Sequence, residues 1–148
     1  MKSSQQMKSQ KTQTLKRRLE KRCEKEINRL KPLLGLSDWD FSVSVKDGVT
    51  KHLNTNKEWG ACTPDFFDKE ADIYINACYA VPQKGDRPPL RKILLHEMVH
   101  CHVNHLIYES PHNGEDSRKL LEEQVTRNLE KVLWKLINNP IRQRKKGK

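Results

Sequence analysis

Long apolar runs are missing from this 148-residue chain. None approaches the roughly 20 consecutive apolar residues that a membrane-crossing helix needs, so no membrane span is expected. A charged-then-apolar leader is missing too, and the expectation is a soluble, cytoplasmic protein. The four cysteines, Cys23, Cys62, Cys78 and Cys101, form no Cys-x-x-Cys pair. They lack the ligand spacing of a structural zinc knot and read as reduced, mostly buried thiols. No internal repeat is visible. The length suits one domain and leaves no room for two independent cores. With 34% hydrophobic and 32% charged residues, only part of the chain can build a packed interior.

Positive charge is what the chain has in excess, at +10 net, and it is unevenly spread. The first 22 residues carry eight Lys/Arg and one Glu, and residues 140–148 carry five Lys/Arg and no acid. The body between them is close to neutral. Such basic ends can contact phosphate backbones, although short solvated charge runs are commoner than specific binding arms.

Residues 1–13 hold Lys, Ser, Gln and Thr with hardly an apolar side chain, and are expected to form a disordered basic tail. From 14 to 31, Leu15, Leu19, Cys23, Ile27 and Leu30 recur at spacings of three and four, which predicts an amphipathic helix ended by Pro32 and Gly35. Trp39, Phe41, Val43 and Val45 alternate with polar residues, the period of a half-buried strand. A second strand is expected around 59–63 and a third over 71–76. Pro82, Gly85, Pro88 and Pro89 mark a loop, and Pro89 suits a helix start. The helix after it, about 90–108, is apolar on most sides and should be buried. A final helix is expected over 117–138, with Glu115 and Asp116 at its positive end. Crossover helices do not alternate with strands, so the fold class is α+β. A small antiparallel or mixed sheet should pack on the buried helix and on the helix that follows it. The domain is expected to cover 14–139, with a second basic tail over 140–148.

The buried helix contains His96-Glu97-Met98-Val99-His100. Positions i and i+4 lie one turn apart on the same helix face, so both imidazoles can reach one ion. Glu97 is rotated about 100° from His96 and stands beside such an ion. Zinc lowers the pKa of a bound water from 15.7 towards roughly 7, and Glu97 can accept that water's proton. Two imidazoles and a carboxylate on so apolar a helix would be costly to bury without a partner, which a metal supplies. A catalytic zinc usually takes three protein ligands. For the third, Glu122 ranks first, because Val125, Leu129, Val132 and Leu136 continue its face and place it towards the core. His112, in the preceding loop, ranks second. Glu123, which shares a face with Arg127 and Glu130, looks solvent-exposed and ranks third. His105 follows His100 by five residues, and Val103 stands where a metzincin has glycine, so a metzincin-type site is excluded.

These residues, with Trp39-x-Phe41-x-Val43, Trp59-Gly60-x-Cys62, the strand Asp72-Ile73-Tyr74-Ile75-Asn76 and Leu121-Glu122-Glu123-x-Val125, together resemble the minigluzincins. Those are compact zincin-like metallopeptidase domains common in bacterial and phage genomes, and the likeness covers about 14–137. The resemblance implies a zincin-like single domain with Zn2+ held by His96, His100 and Glu122, and Glu97 as general base. It also implies that Asp72, Ile73, Tyr74, Ile75 and Asn76 form the edge strand along which an extended peptide lies. His112-Asn113-Gly114 and the basic ends are similar instead to SprT-like proteases, which use a third histidine in a loop and act on DNA-bound proteins. In this chain Asn113 intervenes before the glycine.

The expected function is therefore a hydrolase: a zinc-dependent metallopeptidase that cleaves peptide bonds through zinc-bound water, with Glu97 passing the proton to the leaving amine. Tyr79, Tyr108 and His112 are candidate oxyanion donors. The expected partners are a protein or peptide substrate and, through the basic tails, nucleic acid; a monomer with no membrane association is expected. One alternative is a SprT-like DNA-associated protease. Another is a non-catalytic zincin-fold binding module whose metal is structural.

Overall fold

The computed structural model describes residues 4–47, 59–81, 87–108 and 114–139. Helix α1, Ser4–Leu34, buries Leu19, Cys23, Ile27 and Leu30 of the predicted stripe, leaves Leu15 half-buried, and adds Leu34. It begins well inside the 1–13 stretch that composition marks as disordered. Lys and Gln are good helix formers, and no Gly or Pro interrupts residues 4–31. Once the core-packed turns have nucleated the helix, it propagates outward. It also runs through Pro32 instead of stopping there. Gly35 ends it at φ 68°, and the Leu36 amide bonds the Lys31 carbonyl at 2.9 Å. That closure needs the left-handed backbone region, which glycine enters without a Cβ clash.

Three strands follow: β1 (Asp40–Lys46), β2 (Gly60–Asp65) and β3 (Glu70–Asn76). Their order is β1-β3-β2, with β3 parallel to β1 and antiparallel to β2. The sheet is therefore mixed. β3 is its central strand, so Asp72, Ile73, Tyr74, Ile75 and Asn76 do not form an edge, contrary to the expectation. The alternation of Ala71, Ile73 and Ile75, all buried, reveals which face of β3 meets the core. It does not reveal which flank is paired, because ladder bonds lie in the plane of the sheet. Among the described residues the edges are β1, against α1, and β2, against α2, and Pro64, which lacks an amide proton, suits an edge strand.

Helix α2, Leu90–Tyr108, has the boundaries predicted for the buried helix. The Pro89 carbonyl accepts from the Lys92 and Ile93 amides at 2.9 and 3.2 Å, which starts the first turn. Leu94, Leu95 and Met98 are fully buried. Helix α3, Glu115–Ile137, packs on α2 with a face that the sequence reading did not anticipate. Its buried residues are Glu122, Thr126 and Glu130, whereas Leu129, Val132 and Leu136 are 41%, 55% and 44% exposed. The fold is α+β, three helices around a small three-stranded mixed sheet. No helix among the described residues is long and apolar enough to cross a membrane.

Leu94 sits at 0% exposure and Leu33 at 55%. Leu94→Ala should cost about 2–5 kcal/mol through lost burial and an unfilled cavity, and Leu33→Ala about 0.5 kcal/mol or less. Urea denaturation midpoints measure both; equal losses would contradict the assignment of the core.

Candidate metal centre

His96 and His100 project from one face of α2 towards α3, with ring centroids 5.1 Å apart and planes at 78°. Each ring divides its two nitrogens between two kinds of partner. The Nδ1 atoms meet carboxylates of α3: His96 Nδ1 lies 3.1 Å from Glu130 Oε2, and His100 Nδ1 lies 2.8 Å from Glu122 Oε1. The Nε2 atoms converge on a third carboxylate. Glu123 Oε1 is 3.7 Å from His96 Nε2 and 3.3 Å from His100 Nε2.

The positions of the three glutamates follow from helix geometry. Residues 122, 126 and 130 are four apart and share one face of α3, matching the four-residue spacing of the histidines on α2. Glu123 stands one residue round from that face, at its rim. Thr126 is fully buried, with Oγ1 3.5 Å from His100 Nδ1. Asn104 donates to Glu122 at 3.1 Å. Lys92 lies 3.5 Å from Glu130, and Arg127 is 3.2 Å from Glu123.

The electrostatics reflect this crowding. Burial acts to lower the pKa of His100, but Glu122 and then Glu123 outweigh it and raise it from 6.5 to about 10. His96 is raised as well, because the facing Glu123 and the Glu97 charge overcome burial. Hydrogen bonding to His100 and His96 holds Glu123 far below the ordinary carboxylate range. The Cys62 thiol is held protonated by Cys101, 4.0 Å away between sulfurs, and by burial. It does not offer a thiolate to the cleft.

Could this donor set hold a metal? His96, His100 and Glu123 each offer one ligand atom, all within 4.8 Å of one another. Two imidazole nitrogens and one carboxylate oxygen form a zinc-type set. Tetrahedral ligands roughly 2.0–2.1 Å from an ion stand about 3.3 Å apart, close to the two nitrogen–oxygen distances observed. Glu122 and Glu130 would then be the outer carboxylates that fix the ring orientations. The third-ligand candidates from sequence that are described fall on different sides of the rings. Glu122 is buried as expected but on the Nδ1 side, and Glu123 occupies the Nε2 side. His112 lies outside the described residues, as does the side chain of Tyr108. Tyr79 donates to the Pro88 carbonyl at 2.8 Å, so its hydroxyl is already engaged.

The cluster opens into a cleft of about 880 Å³ between α2, α3 and β2, also lined by Glu97, Gly60, Ala61 and Cys62. Glu97 is 5% exposed. A Cβ on Gly60 would come within 2.9 Å of Glu97 Oε1 and 3.0 Å of Ile93 Cγ2. Only glycine lets the strand backbone approach the Glu97 carboxylate so closely. Glu130 and Gly60 were missed in the sequence. A usable signal for Glu130 was present: the polar triplet 122, 126 and 130 repeats the spacing of the histidines. No protein-family model, curated protein or solved structure matches the chain.

Zinc titration of the purified protein should show the largest loss of affinity for Glu123→Gln, with losses of about 10–100-fold for Glu122→Gln and Glu130→Gln. A larger loss for Glu122→Gln than for Glu123→Gln would return Glu122 to the ligand position. In metal-free protein the raised His100 pKa favours the folded state fully below pH 6.5, and that contribution disappears as pH rises to about 10. The stability advantage of wild type over His100→Gln, measured by thermal unfolding, should shrink across that interval. An advantage that grows with pH would contradict the pairing.

Proposed function

We propose that this chain is a zinc-dependent metallopeptidase of zincin type. The observation that carries the proposal is the convergence of His96 Nε2, His100 Nε2 and Glu123 Oε1 in a cleft that also holds Glu97. His96, His100 and Glu123 would hold the ion, with Glu130 and Glu122 steadying the two rings from behind. When bound, zinc supplies Lewis acidity and brings the pKa of water down towards roughly 7.

The chain's own residues do the remaining work. Glu97 is the general base, with its carboxylate at the wall of the cleft. It takes the proton of the attacking water and delivers it to the leaving amine nitrogen. Gly60 keeps the edge of the sheet close to that carboxylate. A peptide substrate would lie along β2, not β3, because the backbone of β2 borders the cleft and its outer flank has no strand partner among the described residues. Strand addition there would satisfy the peptide's backbone polar groups while alternate side chains face the cleft. The resemblance to the minigluzincins supports this reading through His96, Glu97 and His100; the supporting geometry favours Glu123 over Glu122 as the third ligand.

The first test is metal content with turnover of a peptide library. Wild type should hold about one zinc per chain, and His96→Ala should lose it. Glu97→Gln should keep the zinc and lose at least about 100-fold in turnover. Gly60→Ala should also keep the zinc and lower turnover by displacing Glu97. Equal turnover by Glu97→Gln and wild type would sink the enzyme reading and leave a metal-binding module.

A further inference from the structure

The outward face of α1 carries charge of one sign. Lys11, Arg18, Lys21, Arg22, Lys25 and Arg29 are all exposed. At 100° per residue they fall within a sector of about 100° around the helix axis. The acids of this stretch, Glu20, Glu24 and Glu26, project outside that sector. Glu26 engages Arg29 at 2.7 Å and approaches Arg91 at 3.6 Å. Among the described residues no ion pair engages Arg18, Lys21, Arg22 or Lys25. The opposite face of the helix is fixed in the core by Leu19, Cys23, Ile27 and Leu30, so the backbone that carries the cations from Arg18 to Arg29 is held in place. At 1.5 Å per residue the row from Lys11 to Arg29 extends for roughly 27 Å.

We propose that this face of α1 is a docking surface for the phosphate backbone of a nucleic acid duplex. A straight row of cations, without ion pairs from Arg18 to Lys25 among the described residues, repels itself and gains most from a partner whose charges are also regularly spaced in a line. A duplex presents one phosphate per roughly 3.4 Å of axis on each strand. An anionic membrane is the weaker match. Helices that bind membrane surfaces place an apolar face in the headgroup region, and the apolar face of α1 is already buried inside the protein. The recognition is of backbone, not bases, because Lys and Arg along a helix that meets phosphates carry no sequence information. The surface is separate from the cleft and does not depend on the metallopeptidase reading.

The test is fluorescence anisotropy of a labelled mixed-sequence DNA duplex with the full chain across a salt series. Vesicles of phosphatidylcholine and phosphatidylserine in equal parts serve as competitor. Each phosphate contact contributes about 0.9 to the slope of log K against log salt. The triple variant R18Q/R22Q/K25Q should therefore flatten the slope by roughly 2.7, with helix content unchanged, since Gln and Arg have similar helix propensity. Truncation after Asn139 should leave most of the slope in place. The proposal is overturned by any of three results: no duplex binding at low salt, a triple variant with the wild-type slope, or displacement of the duplex by the vesicles.

Discussion

The pairing of two imidazoles, His100 buried and His96 half-buried, with the carboxylates of one neighbouring helix is the constraint to which the rest of the structure conforms. His100 and Glu122 are 8% and 7% exposed, and a buried charge without a partner is far costlier than a solvated leucine. Helix α3 is therefore set by its glutamates. With Thr126 at the centre of the inward face, Leu129, Leu136 and Val132 stand about 60°, 80° and 120° round the axis from it, so they lie at or beyond the rim and stay 41%, 44% and 55% exposed. Polar pairing takes the centre of the inward face; Val125, Leu133, Trp134 and Ile137 pack beside it against the core, while Leu129, Val132 and Leu136 are exposed.

Around that pairing the side chains are held from several directions. Lys92 steadies Glu130, Asn104 steadies Glu122, and Arg127 reaches Glu123. These supports come from α2 and α3 themselves, so the two rings are oriented by elements that also pack the core. The sheet contributes through its backbone. Strand β2 brings Gly60 against Glu97, which places a backbone edge beside a carboxylate without any side chain between them.

Much of this was legible in the sequence and some was not, for identifiable reasons. The boundaries of α2 could be read because its apolar residues are bounded by Pro89, and its His-Glu-x-x-His carries a spacing that only a helix brings together. The burial of Glu122 could be read from its apolar neighbours, although of the four that suggested it only Val125 packs against the core and Leu129, Val132 and Leu136 are exposed. Glu123 and Glu130 read as surface charges because charge is normally a sign of exposure, and the compensating histidines belong to another helix. The edge position given to residues 72–76 failed because side-chain alternation is blind to ladder partners. The early start of α1 was missed because low apolar content was taken for disorder, although the same residues favour helix when a packed turn is there to extend.

The strand order has a consequence for how the chain reaches its native state. β2 and β3 are joined by the short turn over 66–69, so their antiparallel pairing closes a small loop. β1 meets β3 in parallel, and Ser42 and Asp72, neighbours in the register, lie thirty positions apart in sequence. Loop closure grows more costly with length, and non-local pairings are the slow part of assembly. The hairpin can thus form first and offer its free flank as a template to β1, which in the folded chain also meets α1 where the Val45 amide donates to Glu20. On that route the cleft wall exists before the sheet is complete, and the last event is the zipping of the strand farthest from it.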